Sequence, residues 1–359
     1  MLRLQPRQSP SAFWSWASPI LALVLTAVIA GGIFAFMGRP PVLTVYTFLI
    51  SPLFAPNGIA SLAVKAAPLI MMGVGLSLAY RANVWNIGTE GQFTLGAIVA
   101  GWLALSLPDA PMWVIFPAEI LAGILGGVLY ALIVAWLRTR FNANEILTSL
   151  MLAYIAQYLL IYLVTGPLRD PMGFGFPQTA LFSDAADGPR LIENTNLHFG
   201  ILAAPIVAAG AWLMLGHSVL GFQLRVLGQA PRAAKFAGFS ENRLVWLAMA
   251  ISGGLAGLAG MFEVTGTQGQ LSTNISPGYG FTAIIVGFLG RLNPAGVVPA
   301  GLLLALTYLG GDAAQINLGL SNSITGIFQG ILLFCLLGAD VLISNQLLWR
   351  RRSVAGGRA

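Results

Sequence analysis

Charge is what this chain has least of: of its 359 residues only 8% are Asp, Glu, Lys or Arg, and it holds one cysteine and two histidines. A soluble domain carries about 25% charged residues, so a water-covered surface is excluded. The lone Cys335 excludes a disulfide framework and a cysteine metal cluster. His198 and His217 fall at opposite edges of the apolar segments, too far apart to share a metal or a catalytic site. There are two lysines, Lys65 and Lys235, and neither follows a glycine, so there is no phosphate-binding G-x-x-x-x-G-K-[ST] loop. The chain is expected to be neither an enzyme nor a metalloprotein.

What is present is hydrocarbon. Hydrophobic residues make up 57% of the sequence and mean hydropathy is +0.81. Measured against the roughly 20 residues that cross a bilayer as a helix, ten apolar runs stand out: 18 to 37, 61 to 80, 90 to 107, 111 to 137, 145 to 164, 199 to 215, 244 to 265, 277 to 290, 296 to 310 and 324 to 344. The runs are continuous and not alternating, which selects helices over a barrel. The expectation is an all-α, polytopic membrane protein of about ten transmembrane helices. The segment 42 to 55, broken by Pro52, is too short to cross and is expected at the interface or re-entering. The run from Ile20 to Met37 is too long for a signal-peptide core and reads as a retained anchor.

With ten spans drawn, 14 of the 18 basic residues (Arg3, Arg7, Arg81, Arg138, Arg140, Arg225, Arg232, Lys235, Arg243, Arg291, Arg350, Arg351, Arg352 and Arg358) gather on one side, against Arg39, Arg169 and Arg190 on the other. Lys65 lies inside a span near its outer end, where its stem can snorkel to the headgroups. The bias places both termini in the cytoplasm and makes the chain one transmembrane domain, 1–359. Its parts are a cytoplasmic N-terminus (1–17), an external loop (165–198), a cytoplasmic loop (216–243) and a basic cytoplasmic tail (345–359). The net charge of +6 is this signature, and nucleic acid is not implied. The membrane acids Glu119, Glu263 and Asp340, with Glu90 and Glu145 at span starts, all fall within two turns of a span end, so no proton relay is evident.

Gly123 with Gly127, and Gly253 with Gly257, have the four-residue spacing that lets helix backbones approach in lipid. A faint echo links Gln92-Phe93-Thr94, with Ala97-Ile98-Val99 and Gly101, to Gly280-Phe281-Thr282, with Ile284-Ile285-Val286 and Gly287. Inverted repeats and coincidence both account for so short a match.

Two polar segments interrupt the apolar pattern. In the first, Arg81 to Gln92, the residues Asn83, Asn86, Glu90 and Gln92 offer groups that hydrogen-bond hydroxyls or a base edge, and irregular backbone at membrane depth is tolerated where it lines a water-filled path. An ordinary turn with Thr89 as a helix cap is the other reading. Asn144 and Glu145, opening the next span, complete the candidate path. The second segment is the loop from Gly221, in which Pro231 suits a first helical position and Gly238 the residue just past a helix end. A short capped helix between spans suits docking of a partner, and a solvated basic loop accounts for its charges but not for its punctuation.

These residues resemble a known family. NVWNIGTEGQ, from Asn83, is similar to the N-I-G-x-E-G-Q segment of permease subunits of nucleoside and simple-sugar ABC importers, in the branched-chain amino acid/ribose-type superfamily. NANEILTSLMLAYIA, from Asn142, is similar to that family's N-x-x-E-I-x-x-T-x-M-x-N-Y-I, and GQAPRAAKFAGFS, from Gly228, to its coupling loop, G-x-N-P-x-A-A-x-x-A-G-I. Ala153 and Ala230 stand where the family has Asn, so those two roles do not carry over. The resemblance implies a vitamin-B12-importer-type ABC permease fold in a bacterial plasma (inner) membrane. It implies a cytoplasmic ABC ATPase subunit that holds the ATP, an external substrate-binding protein, and a second, non-identical permease, with no cofactor on this chain. It assigns ATPase coupling to Arg225, Gly228, Pro231, Arg232, Ala233, Ala234, Lys235, Ala237 and Gly238. Nucleosides are the expected cargo, with ribose or another simple sugar as alternative and a stand-alone secondary carrier as the rival of another class.

Overall fold

The computed structural model describes residues 2–7, 11–192, 197–321 and 323–349. Glu193 of the external loop and the basic tail residues Arg350, Arg351, Arg352 and Arg358 lie outside them. In chain order the elements are β1 (Leu2–Pro6), α1 (Ala12–Phe36), α2 (Pro41–Leu49), α3 (Gly58–Arg81), α4 (Thr89–Ser106), α5 (Met112–Phe141), α6 (Glu145–Thr165), α7 (Gly200–His217), α8 (Val219–Gln229), α9 (Pro231–Phe236), α10 (Glu241–Glu263), α11 (Tyr279–Leu289), α12 (Pro294–Leu318), α13 (Ser323–Ser344) and β2 (Asn345–Trp349). A π-helical turn, Val264–Gln268, extends α10.

Ten spans were expected, and eight helices among the described residues are long and apolar enough to cross a membrane. The other two expected spans are α4 and α11. At 11 residues α11 reaches about 16 Å, half the roughly 30 Å of hydrocarbon. The segment 42 to 55 is the short α2 followed by a 3-10 turn, Ser51–Phe54. The all-α expectation needs one amendment, since β1 pairs antiparallel with β2 in a two-stranded ribbon.

The chain divides into two compact units, 1–52 with 310–359, and 53–309. In the first, α1 and α13 are joined by the Ser18 hydroxyl donating to Asp340 at 2.7 Å, and Phe48 stacks on Phe328 in a core with Ala30, Phe34, Ala314 and Leu320.

The second unit is built on glycine. A Cβ on Gly127 would strike the Gly253 carbonyl and the Gly257 backbone, and a Cβ on Gly96 would strike Gly257 from the other side. The spacing read as close packing therefore brings α4, α5 and α10 together backbone to backbone, where dispersion and not the hydrophobic effect holds helices in lipid. Residues 165–192 fold over one end of this unit. Thr179 and Phe182 donate backbone hydrogen bonds to Leu271 (2.9 Å) and Gly269 (2.8 Å) in the chain that follows α10.

Candidate functional site

The α3–α4 break begins with a left-handed residue. Asn83 (φ 57°) ends α3, with the amides of Asn83 and Val84 donating back to Tyr80 and Ala79 at 3.0 Å each, the pattern that closes helices at Gly or Asn. The chain then runs without regular structure to α4. Trp85 stacks on Tyr80 and Phe288, its indole donating to Asn83, and the Arg81 guanidinium donates to Leu292 O at 2.7 Å. The far end of α11 therefore sits beside the end of α3.

The near end of α11 sits beside the start of α4. The Gly280 amide donates to the Glu90 carboxylate at 2.6 Å, and the Ser276 hydroxyl also reaches that carboxylate while accepting from Gly278 N and Tyr279 N. Glu90 thus closes the first turn of α11 from another helix, where the orphan amides and the helix dipole favour a carboxylate. Because α11 is only half a membrane long, the two helix starts meet about 16 Å from the Arg81 end. From there α4 leads away to Leu271, against which Gly101 packs, and α11 leads back to Trp85. The two echoing segments open α4, 18 residues long, and the shorter α11, which run in opposite directions from starts that touch. Glu90 lies in the first turn of α4, at the span start where it was expected, and Val84–Gly88 reaches that turn as irregular chain.

The amides expected to face cargo are engaged in holding this break. The Asn86 side chain is fully buried; its Nδ2 donates to Gln92 Oε1 (2.8 Å) and Ser252 Oγ (3.0 Å), and its Oδ1 accepts from Gln92 Nε2 (3.0 Å) and Gly88 N (3.1 Å). Gly88 and Gly91 have no room for a Cβ against Ser149 and Ala153 of α6. Asn144 caps α6, accepting from Ile146 N at 2.9 Å, and Glu145 pairs with Arg138 of α5 at 2.8 Å. The structure brings Asn86, Glu90 and Gln92 together at the break and leaves Asn83, Asn144 and Glu145 at the end of the unit.

At that same end lies the expected docking loop. Ser218 caps α8, and Gly221 and Gly228 press it against α7 and the Arg81 carbonyl. Arg225 folds back to donate to Gly221 O. Pro231 opens α9 and Gly238 (φ 79°) closes it, with Phe239 N donating to Ala234 O at 3.0 Å. Ala234 alone on this helix is buried; Pro231, Arg232, Ala233, Lys235, Ala237 and Gly238 are exposed. Phe236, which the sequence reading did not single out, is 93% exposed. The signal was there, an aromatic inside a six-residue helix bounded by Pro and Gly.

At the opposite end His198 is buried, not interfacial. It stacks on Phe262 at 5.9 Å, accepts from Gly200 N at 3.1 Å, and fills the space that a Cβ on Gly266 would need. Burial holds its pKa down to about 4. The undocked ring titrates near 6.5, so docking of the 165–198 segment is complete above that value. Between about 6.5 and 4 the undocked form takes a proton that the docked form refuses, and docking weakens by up to about 3 kcal/mol. Hydrogen exchange at Thr179 and Phe182, corrected for intrinsic rates, should rise across this window in the wild type and stay flat in His198→Phe. Equal pH dependence in both would assign the effect elsewhere.

Lys65 is half-buried on α3. Among the described residues no three of His, Cys, Asp or Glu come together as a metal site.

Eight helices long and apolar enough to cross a membrane, with a short capped helix exposed between two of them, mark a multi-pass membrane protein. Residues 58–337 match the family described as branched-chain amino acid transport system, permease component, and the chain belongs to it. It is 32% identical to the glucose ABC transporter permease protein TsgB13 of Haloferax volcanii over 94% of this chain and 91% of that protein. It is 28% identical to the guanosine ABC transporter permease protein NupP of Bacillus subtilis, over 88% and 91% of the two chains, and 28% identical to the nucleoside ABC transporter permease protein NupB of Lactococcus lactis, over 88% and 89%. The chain is therefore a transport subunit and not an enzyme. Membership implies, in general terms, an ATPase and a substrate-binding component as partners.

Proposed function

We propose that this chain is the permease subunit of an ATP-driven importer, passing nucleosides from an external binding protein through the membrane. The observation that carries the reading is α9, a capped helix that leaves Arg232, Lys235 and Phe236 exposed. Exposed Arg and aromatic side chains are the usual anchors of protein interfaces. On this reading α8 and α9 dock a cytoplasmic ATPase subunit, ATP binds there and no cofactor binds here, and both termini are cytoplasmic in a bacterial inner membrane.

A second permease subunit, a paralogue of this one, completes the path. Asn274, Pro277 and the 38%-exposed Phe281 are open in and beside the irregular chain that leads to Gly280, and irregular backbone within a membrane needs protein or water around it. Asn86, Glu90 and Gln92 hold the break that shapes the path, with Asn83, Asn144 and Glu145 fixing the helix ends around it.

Nucleosides are favoured by two relatives named for nucleoside cargo. Glucose or another simple sugar is the second reading, favoured by the 32% identity to a glucose permease. Uptake by cells carrying the complete importer separates them. Unlabelled nucleosides should compete with labelled guanosine at micromolar concentration and glucose should not compete at millimolar. Uptake of labelled glucose with no uptake of labelled guanosine would replace the first reading by the second.

A further inference from the structure

On α6 the buried residues Ser149, Ala153, Ala156, Leu160 and Val164 form one face, fixed against α4 by Gly88 and Gly91 and against α5 by the Tyr130 hydroxyl donating to Leu152 O at 2.7 Å. At about 100° per residue, Tyr154, Gln157, Tyr158 and Tyr162 fall together on another face. All four are exposed, the tyrosines at 49%, 70% and 64%. They begin at the middle of the 21-residue helix, one residue beyond the Ala153 contact with Gly91, and climb toward its far end. Ile155 and Leu159, also exposed, occupy the adjoining face.

Tyrosine belongs at membrane interfaces, where its hydroxyl meets water, and a carboxamide at mid-depth faces protein or a water-filled cavity. A row of three phenols with an amide among them does not suit acyl chains, whereas Ile155 and Leu159 do. We propose that the Tyr154–Gln157–Tyr158–Tyr162 face of α6 lines the water-filled cargo path and contacts neutral, ring-bearing cargo in passage. The proposal rests on the importer reading and adds the contact residues. Between Ile146 and Thr165 the helix carries no charged residue, so this wall offers no counter-charge to an ionic cargo. The phenol rings offer π faces to a base or to the C–H face of a sugar, and Gln157 offers one acceptor and two donors to an amide edge or a pair of hydroxyls. Tyr154, the first residue of the face, follows Ala153, whose backbone packs on Gly91, one residue after Glu90.

Cysteine labelling in the complete importer tests this. In a Cys335→Ser background, single cysteines replacing Tyr154, Gln157, Tyr158, Tyr162, Ile155 and Leu159 are exposed to a charged, membrane-impermeant methanethiosulfonate. The first four should react at least about tenfold faster than the last two, because a thiol in acyl chains is neither accessible nor ionised, and saturating guanosine or glucose should slow them. Rates no faster than at Ile155 and Leu159 place the face in lipid or under a subunit and overturn the proposal; protection by neither solute removes the cargo contact and overturns it too. Protection by glucose alone keeps the proposal and sinks the nucleoside reading. Independently, Tyr158→Ala should raise the KM of uptake about tenfold while Tyr158→Phe keeps it near wild type, as stacking requires; an unchanged KM in Tyr158→Ala would deny the ring a role.

Discussion

Arg232→Glu combined with Phe236→Ala is expected to abolish ATP-driven uptake while the permease still inserts and folds. Both side chains are exposed on α9 and touch little of their own chain, so their loss leaves the helix bundle intact. An exposed phenylalanine and an arginine that serve as hot spots of a docking surface contribute about 2 kcal/mol or more each, so affinity for the ATPase subunit should fall by about 700-fold. Binding of the detergent-solubilised permease to immobilised ATPase measures it. Gly238→Val acts by a different route, forcing a β-branched residue into the left-handed region at φ 79°, at about 1–2 kcal/mol, and should weaken docking less. Wild-type affinity in the double variant would remove α9 as the docking element.

The second large effect is structural. Gly257→Leu should prevent the second unit from assembling, since Gly257 is flanked by the Gly123 carbonyl and Gly127 on one side and Gly96 on the other. Those neighbours are backbone, which no rotamer change moves aside, so the cost exceeds the roughly 1–3 kcal/mol of ordinary overpacking. Gly210→Leu on α7, where a Cβ meets nothing within 4 Å, is the control. Size-exclusion profiles in mild detergent should show Gly257→Leu aggregated and Gly210→Leu monodisperse. A monodisperse Gly257→Leu with unchanged melting temperature would show that these helices need no such close approach.

Why some of this was legible in the sequence and some not follows from physics. Apolar runs report burial in lipid directly, so most helices were found within a few residues, although α12 runs to Leu318, eight residues past its expected end. The Gly123/Gly127 and Gly253/Gly257 spacings foretold which faces touch. Helix length was less legible: hydropathy counts apolar residues and not helical ones, so the run 277 to 290 read as a full span although the helix in it, α11, has 11 residues. The role of Asn86 also escaped, because an amide that bonds cargo and an amide that bonds Gln92 look alike until the partner is seen. Tyr154, Gln157, Tyr158 and Tyr162 were hidden inside a run whose mean is apolar; reading that run by helical face would have found them. Phe236 was overlooked because attention went to charge.

The account stands on energy entering through α9 from a separate ATPase and not from an ion gradient through the membrane. Proteoliposomes holding this chain with the proposed second permease, the ATPase and the binding protein, with labelled guanosine or glucose on the binding-protein side, measure that directly. Uptake should require ATP on the α9 side and vanish when the ATPase is omitted, whatever sodium or proton gradient is imposed. Gradient-driven uptake at a comparable rate by this chain alone, without ATPase or ATP, would contradict the account and make the chain a stand-alone carrier.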